Sequence, residues 1–212
     1  SIPGRYPQAS ASRVFLNQGG KLKLDPGNEK LLANIGLVSG AVMGDLDGDG
    51  DLDLTLACEW GPVRILRNEN GIFQDATQAG GMSTRSGWWN GVTLGDFDGD
   101  GRLDIAASNW GKNSKYEHSY SIFQPLRIYH HDFDSDGRYD VVEAHFDKQM
   151  NCLVPERGFS CSSRAMPFIR TGIPNFRSFA TSALENIYGS SFQQAQVVEA
   201  NTLAHTVFLN RG

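Results

Sequence analysis

The sequence predicts an all-β fold, because it repeats one acidic turn and one hairpin. GDLDGDGDLDL at 44–54 recurs as GDFDGDGRLDI at 95–105 and as HDFDSDGRYDV at 131–141, and a strand-like run follows each copy. A second element, a short strand ending in an Asn/Gly turn typical of hairpins, recurs as VFLNQGG, RILRNENG and TVFLNRG. Strand, acidic turn, strand and hairpin, repeated about every 50 residues, is the pattern of a β-propeller blade.

Matching glycines show that the first two copies belong to a longer duplicated unit. The matches are Gly36, Gly40 and Gly44 against Gly87, Gly91 and Gly95. At about 50 residues per blade the chain holds about four blades, and propellers close with about 4–8. We therefore expect residues 1–212 to form one repeat domain, part of a larger propeller or completed by a partner chain. A small closed propeller is the alternative.

One segment interrupts the strand pattern. Apolar residues within 174–189 recur at helical spacing: Phe176, Phe179, Ala180, Ala183, Leu184 and Ile187. Asn175 is suited to cap the start of a helix, and Gly189 is suited to end it. We predict one amphipathic helix, inserted within a blade.

Charge and composition argue against several partners. The formal net charge is -5 and no run of Lys or Arg is present, which disfavours nucleic acid and anionic membranes. No stretch approaches the ~20 apolar residues of a membrane span. The sequence opens at Ser1-Ile2-Pro3 without a signal-peptide pattern, so we expect that a targeting segment was removed or lies outside it. Cys152 and Cys161 flank a loop-like stretch and can pair, whereas Cys58 lies in an apolar run.

The acidic turns have the ligand spacing of calcium loops. Carboxylates fall at positions 1, 3, 5 and 9: Asp45, Asp47, Asp49 and Asp53; Asp96, Asp98, Asp100 and Asp104; Asp132, Asp134, Asp136 and Asp140. Carboxylates this close repel one another, and a hard divalent cation removes the repulsion. Calcium takes about 6–8 oxygen ligands, and a backbone carbonyl at position 7 can supply one, from Asp51, Arg102 or Arg138. Magnesium is less suited, since it prefers fewer protein ligands.

Two other interpretations of these turns compete with calcium binding. Asp and Gly also favour metal-free surface turns, but three turns with one spacing favour metal. The third turn also fits an EF-hand, with Glu143 at position 12, whereas the other two have Leu56 and Ala107 there. Because an EF-hand needs flanking helices and PLRIY and YDVV read as strands, we keep Asp140 as the ligand.

These loops, set in β-rich repeats, resemble the FG-GAP or VCBS repeats of integrin-α-type β-propellers. The wider stretch, roughly residues 14–212, is similar to bacterial proteins with VCBS and ASPIC/UnbV repeats. The resemblance implies about three calcium ions at the three loops and blades arranged around a channel. The third loop departs from the others at Ser135, where they have glycine, and we expect the turn to tolerate it.

Aromatic residues are the candidate ligand-binding groups. Trp60, Trp110 and Phe146 each follow a repeat strand, and Trp88 and Trp89 precede the second loop. Such rings can stack on sugars, form a protein-binding hot spot, or pack between blades. For an enzyme, Glu59, Glu143 and Asp147 lie near strand ends, but no spacing pairs them, and His130 and His131 should face opposite sides of a strand.

The sequence therefore predicts a calcium-binding β-propeller module, with structural calcium, that serves in extracytoplasmic binding or assembly. Its ligand would be a protein or a glycan, with cell adhesion and carbohydrate binding as possible settings, and it would be secreted, periplasmic or at the cell surface. A homo-oligomer or a partner chain would complete the propeller. The alternatives are a glycan-active enzyme on a propeller scaffold, and a structural subunit of a larger complex or filament.

Overall fold

The computed structural model describes residues 1–212 and confirms the all-β prediction, with four antiparallel sheets. One is a hairpin of β1 (Phe15–Gln18) and β2 (Lys21–Leu24). The largest contains, in spatial order, β3 (Leu37–Gly44), β4 (Asp53–Gly61), β5 (Arg64–Glu69) and β6 (Ile72–Asp75), with β7 (Gly87–Trp88) also paired to β4. The third contains β8 (Gly91–Gly95), β9 (Asp104–Ser108) and β14 (Thr206–Phe208). The fourth contains β12 (Cys152–Pro155), β11 (Asp140–Asp147), β10 (Leu126–His131) and β13 (Gln196–Ala200).

The chain divides into two compact units. The first unit comprises Gln8–Ser114 and Thr202–Gly212 with Ser1, and the second comprises Lys115–Asn201 with Ile2–Pro7. Along the chain, the main segment of the second unit, Lys115–Asn201, is inserted between β9 and β14, two strands that pair directly. The prediction of one repeat domain over 1–212 stays a prediction.

In the first unit, β4 is buried on both faces because its apolar side chains alternate between two cores. Leu54, Leu56 and Cys58 pack with Leu66 and Phe73 on one side. Ala57 lies in the core of the other side, which also contains these residues of the neighbouring strands and loops: Val63, Ile65, Met82, Trp89, Ile105 and Ala107. Strands β3 to β6 thus form a four-stranded meander, the arrangement of a propeller blade.

The repeated glycines allow strands β3 and β8 to approach closely. A Cβ at Gly40 would lie 3.1 Å from the Gly91 Cα, and a Cβ at Gly87 would lie 2.4 Å from the Asn109 Nδ2. A side chain at Gly40 would press on the backbone of the second repeat, and one at Gly87 would overlap the Asn109 side chain. Gly40 therefore marks close contact between the two repeats, and Gly87 marks close packing within the second repeat.

The second unit packs a helical segment against its sheet. Besides α1 (Glu29–Leu32) of the first unit, the helices are α2 (Phe159–Ala165), α3 (Ile169–Gly172), α4 (Phe176–Ala180), α5 (Leu184–Tyr188) and a 3-10 helix at Gly189–Gln194. Their shared core with the sheet includes Val142, Ala144, Ile169, Leu184 and Phe192. No helix combines the length and the apolar character needed to cross a membrane.

The single helix expected at 174–189 is instead formed as two short helices, α4 and α5, and helical structure already begins at Phe159. The expected ends are present: the Asn175 side chain accepts the Ser178 N–H, and Gly189 has φ +69°. The interruption follows α4, where the Thr181 and Ser182 hydroxyls donate to the backbone carbonyls of Arg177 and Ser178. Such bonds compete with helix continuation.

All three cysteines are free thiols in this structure, so the Cys152–Cys161 bond that the sequence left open is not formed. Cys58 is buried, and burial raises the pKa of its thiol to about 11, although the charge of Arg64 opposes the shift.

Candidate metal sites at three acidic loops

Each acidic loop connects two paired antiparallel strands. The first loop (45–53) joins β3 to β4, the second (96–104) joins β8 to β9, and the third (132–140) joins β10 to β11. No helix flanks the third loop, and the Glu143 carboxylate is instead bonded to Tyr116 and Lys115. The structure therefore contradicts the EF-hand alternative.

Left-handed residues at positions 4 and 6 let the loops turn sharply. In the first loop Gly48 has φ +81° and Gly50 has φ +94°. In the third loop Ser135 occupies position 4 with φ +63°, so the turn does accommodate a serine there. The position-1 carboxylate closes the turn: both Asp45 oxygens accept backbone N–H groups, from Gly48 at 2.7 Å and Gly50 at 3.1 Å.

Three carboxylates converge in each loop, with ligand atoms within 4.8 Å of one another: Asp45, Asp47 and Asp53; Asp96, Asp98 and Asp104; Asp132, Asp134 and Asp136. These donors are all anionic oxygens, which suit a hard cation such as calcium. The groups combine positions 1, 3 and 9 in the first two loops but 1, 3 and 5 in the third. Asp49, Asp100 and Asp140, and the carbonyls of Asp51, Arg102 and Arg138, stay predicted ligands.

The position-9 aspartate of the first two loops is buried and links the loop to the asparagine of a neighbouring hairpin element. Asp53 is 1% exposed; its Oδ2 accepts the Leu46 N–H at 2.9 Å and its Oδ1 accepts the Asn68 N–H at 2.9 Å. Asp104 repeats the pattern with Phe97 and Asn210, and these two N–H groups lower the pKa of its carboxyl. The same side chain thus bonds both the turn of its own loop and the asparagine of a hairpin element.

The third loop lacks the second hydrogen bond, the one from a hairpin-element asparagine. Asp140 accepts the Phe133 N–H at 3.1 Å, the equivalent of the turn bond. Burial, and then the charges of the other three aspartates in the loop, raise the pKa of the Asp140 carboxyl.

Side chains at position 7 contact the neighbouring hairpin rather than pointing only to solvent. Asp51 Oδ2 accepts the Asn70 N–H at 3.1 Å, and Arg102 Nε donates to the Asn210 carbonyl at 3.1 Å. Two further arginines reach the loops: Arg67 forms an ion pair with Asp47, and Arg211 forms one with Asp98.

Sequence reasoning missed Asn68 and Asn210 as partners of the aspartates. The available signal was the recurrent Asn of the hairpin element. In all three copies its side-chain oxygen accepts a turn N–H, from Gly20 to Asn17, Gly71 to Asn68 and Gly212 to Asn210. In two copies its backbone N–H also bonds a buried loop aspartate.

Comparison with known families gives one match. Residues 45–107 match the family model described as FG-GAP-like repeat. This stretch is similar to an FG-GAP-like repeat. The match begins at the first residue of the first loop and ends within β9, so it includes both the first and the second loop. It confirms the resemblance inferred from the acidic loops and implies a propeller-type fold. No curated protein matches the chain.

Within and beside the FG-GAP-like repeat, three tryptophans form one aromatic cluster. The Trp88 ring lies 5.3 Å from the Trp60 ring and 4.4 Å from the Trp110 ring, measured between centroids. Asn109 fixes two of them, because its Oδ1 accepts the backbone N–H groups of Trp88 and Trp110. Trp60 is buried, whereas Trp88 and Trp110 are half-buried.

The other two aromatic candidates are not in this cluster. Trp89, in the same repeat, is fully buried in the core beside Phe208. Phe146 belongs to the second unit, where it is half-buried on β11.

Two of the three acids singled out as enzyme candidates make structural contacts in the second unit. Glu143 accepts the Tyr116 hydroxyl at 2.8 Å and is 3.1 Å from Lys115 Nζ and 3.3 Å from Arg157 Nε. Asp147 accepts the N–H groups of the turn that follows β11.

The two adjacent histidines follow the alternation of β10. His130 is buried and His131 half-buried, as expected for opposite sides of the strand. Burial, together with the neighbouring His131, lowers the pKa of His130.

Proposed function

We propose that the chain is a calcium-binding repeat module of the propeller type, in which an ion at each acidic loop has a structural role. The observation that carries the proposal is the double use of Asp53 and Asp104. Each buried carboxylate belongs to the converging group of its loop and also accepts the N–H of the hairpin-element asparagine, Asn68 or Asn210. A cation held by the loop would therefore also brace the strands of the sheet.

Electrostatics support the same role. Three carboxylates whose oxygens lie within 4.8 Å repel one another, and the repulsion opposes folding of the loop. A bound divalent cation replaces this repulsion by attraction. Since a ligand that binds only the folded state stabilises it, each occupied site adds about 2.7 kcal/mol when calcium is at about 100 times its Kd.

Elemental analysis combined with melting curves tests the proposal. We expect about three calcium ions per chain, and a clear fall of Tm when a chelator removes them. The double variant Asp98→Asn/Asp100→Asn should lose one ion and keep the other two. A protein without calcium, with the same Tm in chelator, would leave the loops as acidic turns and contradict the proposal.

We further propose that the module serves in binding or assembly outside the cytoplasm, through the surface at Trp88 and Trp110. Half-buried tryptophans present a flat apolar face beside polar backbone, which suits stacking on a sugar ring or packing in a protein hot spot. Assembly is supported by the β1–β2 hairpin, where Phe15 is 53% and Leu22 72% exposed on a two-stranded sheet.

Replacement of single tryptophans tests the binding surface. Trp110→Ala should abolish retardation of the protein in gels that contain a soluble polysaccharide, with little change in Tm. The matched control Trp89→Ala removes a ring that is 0% exposed, and should lower the free energy of unfolding by about 3–5 kcal/mol. If no polysaccharide retards the wild type, the ligand class is protein rather than glycan. If Trp110→Ala lowers stability as much as Trp89→Ala, the cluster is core.

A further inference from the structure

We propose that Arg67 and Arg211 are built-in counter-ions that compete with calcium for the first and second loops. This inference rests on the proposed calcium function. Arg67 Nη1 lies 2.9 Å from the Asp47 Oδ2. Arg211 forms an ion pair with Asp98, and its Nη1 is also 3.7 Å from the Asp100 Oδ2. Both arginines therefore contact carboxylates that the loops would offer to the ion.

The repeat itself brings the arginines to the loops. Arg67 immediately precedes Asn68 and Arg211 immediately follows Asn210, the two residues whose N–H groups bond Asp53 and Asp104. The hydrogen bond between the asparagine and the loop aspartate thus also brings the adjacent arginine to that loop.

The third loop provides an internal comparison. Asp140 accepts no N–H from a hairpin-element asparagine. No Lys or Arg forms an ion pair with the aspartates of this loop, although Arg138 is part of it. Its three converging carboxylates lack a basic counter-ion. An effect of Arg67 or Arg211 on calcium binding should therefore spare this loop.

Competition follows from charge and from shared atoms. An oxygen that accepts from a guanidinium is less available to a metal, and a monovalent cation close to a divalent one repels it. Both arginine side chains are half exposed, at 49% and 62%, so each can move into water when an ion displaces it. Without the ion, the same arginines reduce the repulsion among the aspartates and keep the loops folded.

Calcium titration of the full chain against a chelating dye tests the competition. Arg67→Gln should raise one stepwise association constant by about three- to tenfold, since exposed ion pairs are modest and the repulsion of the ion adds to them. Arg211→Gln should do the same for a different constant. Arg67→Lys keeps the positive charge and should resemble the wild type. Arg85→Gln, at an exposed arginine that makes no ion pair, controls for net charge and should change nothing.

Melting curves give a second readout. In chelator, Arg67→Gln should melt at a lower temperature than the wild type, because the carboxylates lose their counter-ion. In saturating calcium the difference should vanish or change sign. A wild type that binds no calcium would overturn the calcium function and this inference together. A wild type that binds three ions, with Arg67→Gln binding them equally or more weakly, would overturn only the competition.

Discussion

At the scale of single residues, one carboxylate in each of the first two loops bonds both the turn and a neighbouring hairpin element. The Asp53 carboxyl group is 1% exposed, and both its oxygens are bonded, to N–H groups of the turn and of β5. A buried charge is tolerated in a protein only when it is paired in this way. Its position is therefore required for the fold before any ion is considered.

Replacing Asp53 by alanine separates its structural hydrogen bonds from the calcium ligation that we propose. Asp53→Ala leaves the Leu46 and Asn68 N–H groups without their acceptor, which should cost about 2–4 kcal/mol of unfolding free energy even in chelator. Urea unfolding in chelator measures it.

The matched control is Asp49→Ala, at an exposed position of the same loop where the side chain only accepts the Asp51 N–H. In chelator this variant should have nearly the same free energy of unfolding as the wild type. In calcium it should be less stable than the wild type, because it lacks one of the proposed ligands. Equal losses for Asp53→Ala and Asp49→Ala in chelator would contradict the double role.

At the scale of elements, the sequence predicts what local chemistry determines. The three loops fall at the expected residues because Asp and Gly specify the turn within nine positions. The hairpin strands also fall as expected, since the apolar runs and Asn/Gly turns are local. The helix at 174–189 has the expected cap and stop but is split, because the hydroxyls of Thr181 and Ser182 bond the preceding turn.

Non-local pairing explains what the sequence could not predict. Strand β9 pairs with β14 across the whole second unit, and no residue in either strand signals so distant a partner. The meeting of Trp60, Trp88 and Trp110 depends in the same way on how β4, β7 and the segment after β9 are arranged. Sequence reasoning identified the three rings but could not distinguish them from Trp89, which the fold buries.

At the scale of the whole molecule, the two units carry different spectroscopic reporters. All four tryptophans lie in the first unit, and all six tyrosines lie in the second. Tryptophan fluorescence therefore follows the first unit, and the NMR signals of the tyrosine rings follow the second.

The second unit should lose stability in acid through Glu143. Burial alone would raise the pKa of this carboxyl, but hydrogen bonds from Tyr116 and Lys115 and the charges of Lys115 and Arg157 outweigh it and lower the pKa. A lowered pKa means that the ionised form stabilises the folded state. This contribution is present at neutral pH and is lost as pH falls below about 4, through the lowered value.

Glu143→Gln should remove this dependence. The variant should be about 1–3 kcal/mol less stable than the wild type at pH 7, and the difference should shrink as pH falls toward 3. The tyrosine signal measures this in urea titrations at several pH values, while tryptophan fluorescence serves as the control from the first unit. A constant difference at every pH would contradict the assignment.

The separation of β9 from β14 has a consequence for biosynthesis. A chain leaves the ribosome with its N-terminal part first, so Asp104 is made 106 residues before the Asn210 N–H that it bonds. The entire sheet of the second unit is synthesised in between. During that interval the edge of β9 lacks its strand, which is the state in which strands pair wrongly. The second repeat can close only after the inserted unit has been made, so the speed of translation through that unit sets how long the repeat stays open.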